Sequence, residues 1–180
     1  INHMFQQGIK GVDFVICNTD SQALQNSGVP NKIQLGVNLT EGLGAGANPD
    51  VGEQAALESL EDIRRMLDTN TKMIFITAGM GGGTGTGVGP QVAQVAREVG
   101  SIVIGTVTMP FDMERARVDK AEFGLQQLRQ VSDTVIVIDN NRLVQIAGNL
   151  PVQQAFAVAN ELIATMIKGI VETIAVPSLV

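Results

Sequence analysis

The most informative segment of this sequence is Ala78-Gly79-Met80-Gly81-Gly82-Gly83-Thr84-Gly85-Thr86-Gly87. It follows a short apolar run, Met73–Thr77, and precedes a helical pattern over Val88–Val99. In a strand–loop–helix unit, the loop N–H groups and the positive end of the helix dipole converge on one point. Glycine lets the backbone approach phosphate oxygens closely, and Thr84 and Thr86 can add hydroxyl donors. The stretch therefore predicts an anion site, with a flexible Gly/Thr loop as the alternative.

The spacing of these glycines excludes two common phosphate loops. The run lacks the Lys of the P-loop pattern, and it contains no G-x-G-x-x-G register. An α/β pattern also permits a dinucleotide-dependent oxidoreductase. That alternative is disfavoured by the glycine spacing and because no Asp or Glu stands where a ribose clamp is expected, about 20 residues further on.

The fold class is predicted by strand and helix patterns that alternate along the chain. Short apolar, β-branched runs are typical of fully buried strands, and helical patterns lie between them. The predicted strands are Val12–Cys17, Met73–Thr77, Ile102–Thr108 and Val135–Ile138. The first predicted helix is capped by Asp50, and Glu53 completes its capping box. The other predicted helices are Val88–Val99, Glu114–Val131 and Val152–Ile174. The alternation predicts a Rossmann-like α/β fold, a parallel sheet with helices on both faces.

Composition limits the partners and the compartment. The chain has 180 residues, 44% of them hydrophobic, which is enough for one domain with its own core. Its net charge of −6 argues against nucleic acid as the partner, because phosphate backbones require a basic face. The single cysteine, Cys17, excludes a disulfide framework and fits a reducing compartment. The apolar runs are strand-sized, so neither a signal peptide nor direct membrane insertion is predicted.

Four strand-end loops are predicted to lie at one edge of the sheet, where ligands of such sheets bind. These loops are Asn18-Thr19-Asp20, the glycine run, Met109-Pro110-Phe111 and Asp139-Asn140-Asn141. A second small-residue loop, Gly42-Leu43-Gly44-Ala45-Gly46-Ala47-Asn48-Pro49, opens onto a predicted helix and is a candidate anion nest. For Asn18–Asp20 the alternative is an Asx turn that caps a short helix from Ser21.

The 78–87 stretch resembles the signature loop of the tubulin/FtsZ GTPase family, in the form that bacterial cell-division FtsZ carries. The resemblance covers the whole chain and implies GTP or GDP as the ligand, with Mg²⁺ accompanying GTP. The loop with Gly44, Ala45, Gly46 and Ala47 is similar to the family loop that faces the γ-phosphate, and so is implied to sense GTP against GDP. Asn18 and Asp20 match the family's Asn-Thr-Asp motif beside the nucleotide.

Two residues on the last helix are implied to read the base. Phe156 and Asn160 are four residues apart, so they share one helix face. They resemble the family pair in which an aromatic ring stacks on guanine and an amide or carboxylate reads its polar edge. For Phe156 alone, core packing is the alternative.

The loop after the third predicted strand departs from the family pattern. Pro110 and Glu114 resemble the Pro-Phe-x-x-Glu loop whose Glu contacts ribose, and Asn140 matches an Asn beside the nucleotide. The family places Gly directly after that Glu and Arg four residues after it, whereas here Arg115 follows and Arg117 comes three residues after. Arg117 is therefore either a phosphate or ribose contact or a solvated residue at a helix start.

Both ends of the chain are predicted to be truncated. The chain begins inside a helical pattern at Ile1, and its last helical pattern runs into Pro177 just before Val180. The resemblance implies that a first strand with a Gly-rich loop lies before Ile1, and that an acidic loop acting on the next subunit's nucleotide lies after Val180. Residues 1–180 are thus predicted to be a single GTP-binding domain that ends at the long central helix, supplies no catalytic residue and is inactive alone.

The resemblance also implies the biological role. It implies a GTPase that polymerises in head-to-tail filaments, forms the septal ring with other cell-division proteins, and works in the cytoplasm at midcell. A non-catalytic module that caps filaments is a further alternative. His3, the only histidine, is given no catalytic role, and no metal ligands are predicted in the chain.

Overall fold

The computed structural model describes residues 1–67, 70–148 and 150–175. Its strands form two parallel sheets. One sheet pairs β1 (Val15–Asn18) with β2 (Asn31–Gln34), and the other has the order β3 (Met73–Gly79), β4 (Ile102–Met109) and β5 (Thr134–Asp139). Around them lie α1 (Asn2–Gln6), α2 (Ser21–Gln25), α3 (Val37–Thr40), α4 (Pro49–Glu58), α5 (Leu60–Leu67), α6 (Thr84–Glu98), a 3-10 turn (Asp112–Glu114), α7 (Arg115–Gln130), α8 (Asn140–Ala147) and α9 (Val152–Ala175).

Helices cover both faces of the larger sheet, as predicted. On β3, Ile74 and Ile76 face one core cluster, whereas Phe75 packs in a second cluster. This follows from the two-residue repeat of a strand, which directs successive side chains to opposite faces. The first cluster is completed by α4 to α7, and the second by α1, α8 and α9. The parallel α/β architecture is therefore confirmed.

All four predicted strands are present in the structure. The boundaries of the first strand were predicted less accurately. The predicted run Val12–Cys17 forms a strand only as β1, Val15–Asn18. The short strand β2 was missed because Asn31, Lys32 and Gln34 are polar and its first two residues are exposed. Such a sequence gives no apolar run to detect.

The helix predicted after Asp50 begins and divides differently. Asn48, not Asp50, caps α4: its Oδ1 accepts from the N–H of Asp50 at 3.0 Å, and Pro49 takes the first helical position. A proline fits there because its missing N–H would have no partner in any case. Glu53 accepts from Gln91 on α6 rather than completing a capping box. The helix breaks at Ser59, whose hydroxyl accepts from the N–H of Gly36.

Helices α4 and α6 approach each other backbone to backbone. A Cβ added at Gly52 would meet the carbonyl of Gly83, and one added at Gly87 would meet the carbonyl of Pro49. Only glycine permits this approach. The contact fixes the loop that precedes α4 against the loop that precedes α6.

A cavity of about 1330 Å³ separates the two sheets. β1 and β3 are not hydrogen-bonded to each other, and residues of both strands, Cys17 and Ile76 among them, line the cavity. At one end it reaches Asn18, Gly79 and Thr84. The sheet interior thus continues into the edge where the predicted site residues lie.

The long helix α9 is more apolar than the other long helices, α6 and α7. Its segment Val152–Ile174 is long and apolar enough to span a membrane, and the core helix of a soluble protein can have the same length and composition. One of its faces is buried: Ala155, Ala159, Ile163 and Ile167 are nearly inaccessible. The predicted continuation to Pro177 lies outside the described residues.

Candidate functional site

The strand-end loops meet at one edge, as the sequence predicts. Gly79 pairs with Thr108, and Met109 pairs with Asp139, so β3, β4 and β5 end side by side. The loop after β1 joins them through Thr19, whose hydroxyl lies 2.7 Å from that of Thr84. Thr19 is fully buried, and the two sheets are therefore linked at the candidate site.

The glycine loop is shorter than predicted. α6 begins at Thr84 rather than Val88, so residues 80–83 form the loop and the next residues form the first helical turn. Gly81 has φ +104 and donates its N–H to Thr86 Oγ1 at 2.8 Å. Because Thr86 is 2% exposed, its hydroxyl braces the loop from within rather than facing a ligand as expected. Thr84 likewise bonds to Thr19.

A run of backbone donors is left free at this helix start. Among the described residues, no protein acceptor takes the N–H groups of Gly82 through Thr86, and Gly83 provides no side-chain cap. The first N–H groups of any helix lack intrahelical partners, and here they also coincide with the positive end of a 15-residue helix. This arrangement is suited to an anion.

The second loop lies directly against the first. A Cβ added at Gly83 would meet Ala45 Cβ at 2.7 Å and the backbone N and O of Asn48 at 2.9 Å. Gly44, Gly46 and Ala47 all have positive φ, +88, +57 and +57. The N–H groups of residues 45–47 find no acceptor among the described residues. Two sets of free donors thus converge on one place.

The Asn18–Asp20 segment caps helix α2 and also supports the second loop. Asp20 Oδ1 accepts from the N–H groups of Gln22 and Ala23 and so caps α2, which is the Asx turn considered above. Asn18 Oδ1 accepts from the N–H of Asp20. The carbonyl of Thr19 accepts from Gly44 N–H at 3.3 Å and thereby holds the second loop. Both predicted residues lie at the site edge.

The loop after β4 places Pro110, Glu114 and Arg117 beside the glycine loop. A Cβ added at Gly81 would lie 2.9 Å from Arg117 Cβ and 3.4 Å from Pro110 Cγ. Glu114 accepts from the Arg117 guanidinium at 2.9 Å and from Phe111 N–H at 3.0 Å. The Arg117 side chain is 57% exposed. Its backbone therefore covers the loop while its charge is paired with Glu114.

The loop after β5 contributes a buried amide. Asn140 is 5% exposed, and its Oδ1 has no hydrogen-bond partner. Its neighbour Asn141 exchanges two hydrogen bonds with Asp112, and Asp139 caps α8 through Asn141 N–H. Among the described residues, Thr106 Oγ1 and Ser132 Oγ are also buried without a partner, and Asn140 is the one of the three that lies in a strand-end loop of the candidate site, where a ligand could satisfy its Oδ1.

Phe156 and Asn160 lie on an exposed face of α9. Phe156 is 45% exposed and packs edge-to-face on Phe111, with ring centroids 5.7 Å apart. Asn160 is exposed and has no hydrogen-bond partner among the described residues. Phe111 in turn follows Pro110, next to Gly81, so the pair reaches the site through this aromatic contact. An accessible ring and amide are available to a planar ligand.

Other titratable groups take no part in this site. Burial raises the pKa of the Cys17 thiol to about 11, so this thiol is protonated at neutral pH. His3 Nε2 lies 2.8 Å from Glu161 Oε2, although the sequence suggested no carboxylate partner for it. This hydrogen bond lowers the pKa of Glu161. In the part of the chain that the structure describes, no cluster of three or more His, Cys, Asp or Glu could hold a metal.

Three residues of the site were not predicted from the sequence. Thr19 joins the two loops, Phe111 supports Phe156, and Lys120 donates from its ammonium to the carbonyl of Ala47 at 2.7 Å. The first two lie inside the quoted motifs and could have been included. Lys120 is 73 residues from its partner, and no local pattern indicates such a contact.

A family model described as the Tubulin/FtsZ family, GTPase domain, matches residues 1–148. The chain belongs to this family. Cell division protein FtsZ 2 of Methanocaldococcus jannaschii is 50% identical over the whole chain, and that of Haloferax volcanii is 48% identical. The chain spans about half the length of these curated relatives, 47% and 45%. Because they are archaeal, they do not support the expected bacterial source.

Solved structures confirm the fold. An M. jannaschii structure titled "FtsZ dimer, empty" superposes with a TM-score of 0.93 and 43% identity, covering 100% of this chain and 52% of that one. CetZ2 from Haloferax volcanii, titled as a GTPγS-bound protofilament, has a TM-score of 0.84, covering 99% of this chain and 57% of that one. At 23% identity, the second likeness bears on the fold alone. The tubulin/FtsZ architecture is thus present in this chain.

Proposed function

We propose that this chain binds guanine nucleotides, GTP and GDP, at the edge formed by the two small-residue loops. The observation that carries the proposal is the convergence of free N–H groups from residues 82–86 and 45–47. Backbone donors can bind phosphate without basic side chains, which suits a chain of net charge −6. Membership of a GTPase family makes guanine nucleotide the ligand to test first.

The residues present fit such a ligand from phosphate to base. The glycine loop leaves no room for a Cβ at Gly81 or Gly83, whereas Gly82 faces open space. The unpartnered Asn140 Oδ1 and the exposed Phe156 ring supply a polar and an aromatic contact. We assign phosphate contacts to the free backbone N–H groups of Gly82, Gly83, Thr84, Gly85, Thr86, Ala45, Gly46 and Ala47. We assign the shaping of the two loops around the phosphates to Gly79, and to Met80, Gly81, Gly87 and Gly44, whose N–H groups are engaged within the protein. We assign base or ribose contacts to Asn18, Asp20, Pro110, Glu114, Arg117, Asn140, Phe156 and Asn160.

Mg²⁺ is proposed to arrive with GTP, held by phosphate oxygens. Hard cations prefer oxygen ligands, and triphosphate supplies them where a protein offers no carboxylate cluster. When bound, Mg²⁺ neutralises charge on the phosphates. The chain's own contribution is to hold the phosphates with backbone donors.

We propose that this site binds nucleotide and does not itself activate water. The acids of its strand-end loops are already engaged: Asp20 caps α2, Asp139 caps α8, Asp112 accepts from Asn141, and Glu114 pairs with Arg117. A carboxylate that acts as a general base must be free and must lie within hydrogen-bond reach of the proton that it removes from water. The chain alone is therefore expected to bind GTP without releasing phosphate, as a phosphate-release assay would show.

Assembly in head-to-tail filaments is proposed from the relatives. Those named above are cell division proteins, and the two solved structures are titled a dimer and a protofilament. Repetition of one heterologous contact produces an open filament. We therefore propose that the protein carrying this domain polymerises in the cytoplasm at the division site, with other division proteins as partners. GTP-dependent sedimentation of that protein would test this.

The binding proposal is tested by competition with a fluorescent GTP analogue. GTP and GDP are expected to displace it and ATP is not, because Phe156 and Asn160 are assigned to guanine. Gly82→Ala is the informative variant: its added Cβ meets no protein atom within 4 Å, so folding should be unchanged. If phosphate occupies that space, affinity should fall by at least about tenfold, the cost of one lost charged hydrogen bond.

Gly28→Ala is the matched control, since its Cβ also meets nothing within 4 Å and it lies outside the site. The control should bind as the wild type does. Equal competition by ATP would refute the base assignment, and wild-type affinity in Gly82→Ala would refute the phosphate assignment.

A further inference from the structure

Lys120 stands where helix α7 crosses both phosphate loops. Along this face of α7, Arg117 covers Gly81 and Gly124 packs on Thr86, so the helix spans the glycine loop. Between these two contacts, the Lys120 ammonium donates to the carbonyl of Ala47 at 2.7 Å. Lys120 is thus the link from α7 to the second loop.

The peptide that Lys120 contacts is held at both ends. The Ala47 carbonyl accepts from Lys120, while the N–H of the same peptide, on Asn48, donates to the carbonyl of Ala45 at 3.0 Å. A planar peptide fixed at its oxygen and its hydrogen cannot rotate. The preceding N–H, on Ala47, is one of the free donors of the site.

Ala47 adopts a backbone conformation that needs such support. Its φ of +57 lies in the left-handed region, which residues with a Cβ seldom adopt. Gly46, with the same φ, bears no such cost. Residues held in this region persist only where their surroundings determine the geometry. The charged hydrogen bond from Lys120 supplies that determination.

The charge of Lys120 is also available to an anion. The structure describes no ion pair for this residue, unlike Arg117, whose guanidinium is paired with Glu114. Lys120 is only partly buried, at the rim beside the exposed residues Gly46 and Ala47. Removing it would leave the second loop without both its brace and its nearby positive charge.

We propose that Lys120 is a positioning residue that sets the Ala45–Ala47 loop for a terminal phosphate and so favours GTP over GDP. The inference rests on the proposed guanine-nucleotide site. GDP has no third phosphate for this loop to bind. Its affinity therefore depends mainly on the glycine loop, which Lys120 does not contact, whereas the affinity for GTP depends on both loops.

The test compares Lys120→Met, Lys120→Arg and Arg129→Met. Lys120→Met keeps the length and removes the donor, Lys120→Arg keeps a charged donor, and Arg129→Met removes one charge from the far end of α7. The ratio of GTP to GDP affinity should fall about tenfold in Lys120→Met, the size of one charged hydrogen bond. Lys120→Arg should restore part of the ratio, and Arg129→Met should leave it unchanged.

A second readout does not require nucleotide. In the free chain, amide hydrogen exchange at Asn48 should accelerate about tenfold in Lys120→Met, because its peptide is no longer held. Unchanged exchange, or equal losses of GTP and GDP affinity, would overturn the proposal. If the wild type bound neither nucleotide, the guanine site itself would be refuted, and exchange would still decide whether Lys120 holds the loop.

Discussion

The glycine loop and the second small-residue loop are built in opposite ways. The glycine loop is buried, braced by the Thr86 hydroxyl and continuous with α6. The second loop is exposed from Gly46 to Asn48, has positive φ at four positions, and is held from outside by Thr19 and Lys120. Rigid support suits a constant group such as the inner phosphates, whereas a loop held by a few distant contacts suits a group that comes and goes. The comparison predicts how each loop responds to substitution.

The largest effect is expected where the glycine loop enters α6. A Cβ at Gly87 would meet the Pro49 carbonyl and lie 2.6 Å from Glu53 N, so Gly87→Ala must separate α4 from α6. Such overpacking should cost about 3 kcal/mol in the free energy of unfolding. Chemical denaturation would measure it. Gly89→Ala in the same helix is the control, because its nearest atom is Met80 Cε at 4.0 Å. Equal stabilities would contradict the backbone contact.

A smaller loss is expected when the internal brace is removed. Thr86→Val keeps the shape of the side chain but leaves the N–H of Gly81 without its acceptor. An unsatisfied buried donor should cost about 2 kcal/mol. Thr86→Ser, which retains the hydroxyl, should recover most of this in the same thermal unfolding experiment. Full stability in Thr86→Val would mean that the glycine loop is not held from within.

The second loop should tolerate change better. Gly46→Ala meets no atom within 4 Å, and only its positive φ opposes the substitution. The expected cost is about 1 kcal/mol. Gly46→Asn should cost less, since asparagine adopts this backbone conformation more readily. A loss as large as that of Gly87→Ala would remove the distinction between the loops.

The smallest effect is expected at a contact outside both loops. The hydrogen bond from His3 lowers the pKa of Glu161 below 4.5, so this contact stabilises the fold above that pH and is lost as pH falls through the lowered pKa. Glu161→Gln should therefore slightly lower the melting temperature above pH 4.5 and have no effect well below it. If the difference in melting temperature between the wild type and Glu161→Gln grew as the pH fell, this prediction would be contradicted.

Much of the fold could be predicted from sequence because its signals are local. Continuous apolar runs predicted β3, β4 and β5, and helical spacing predicted α6, α7 and α9. The sequence pattern did not predict β2, which is short and polar. It also missed the Asn48 cap at the start of α4 and the break after that helix at Ser59, which depend on contacts with neighbouring residues. Local patterns contain no information about such partners.

For the candidate site too, the sequence predicted positions better than contacts. The motifs placed Asn18, Gly83 and Asn140 at one edge, because the carboxyl ends of parallel strands lie at the same edge of a sheet. What the residues do there was less predictable. Thr86 was expected to donate to a ligand and instead accepts from Gly81, and Lys120 was not considered. These roles depend on contacts between residues that only the folded chain brings together.

The backbone contact of α4 with α6 at Gly52, Gly83 and Gly87 has a consequence for the kinetics of binding. With no side chains between them, the helices cannot slide past one another, and the loops that lead into them form one preorganised body. The conformational entropy of that body is lost when the chain folds and not when a ligand arrives. Association with the glycine loop should then be limited by diffusional encounter. Any slower step in binding is expected to be a rearrangement of the exposed loop around Ala47.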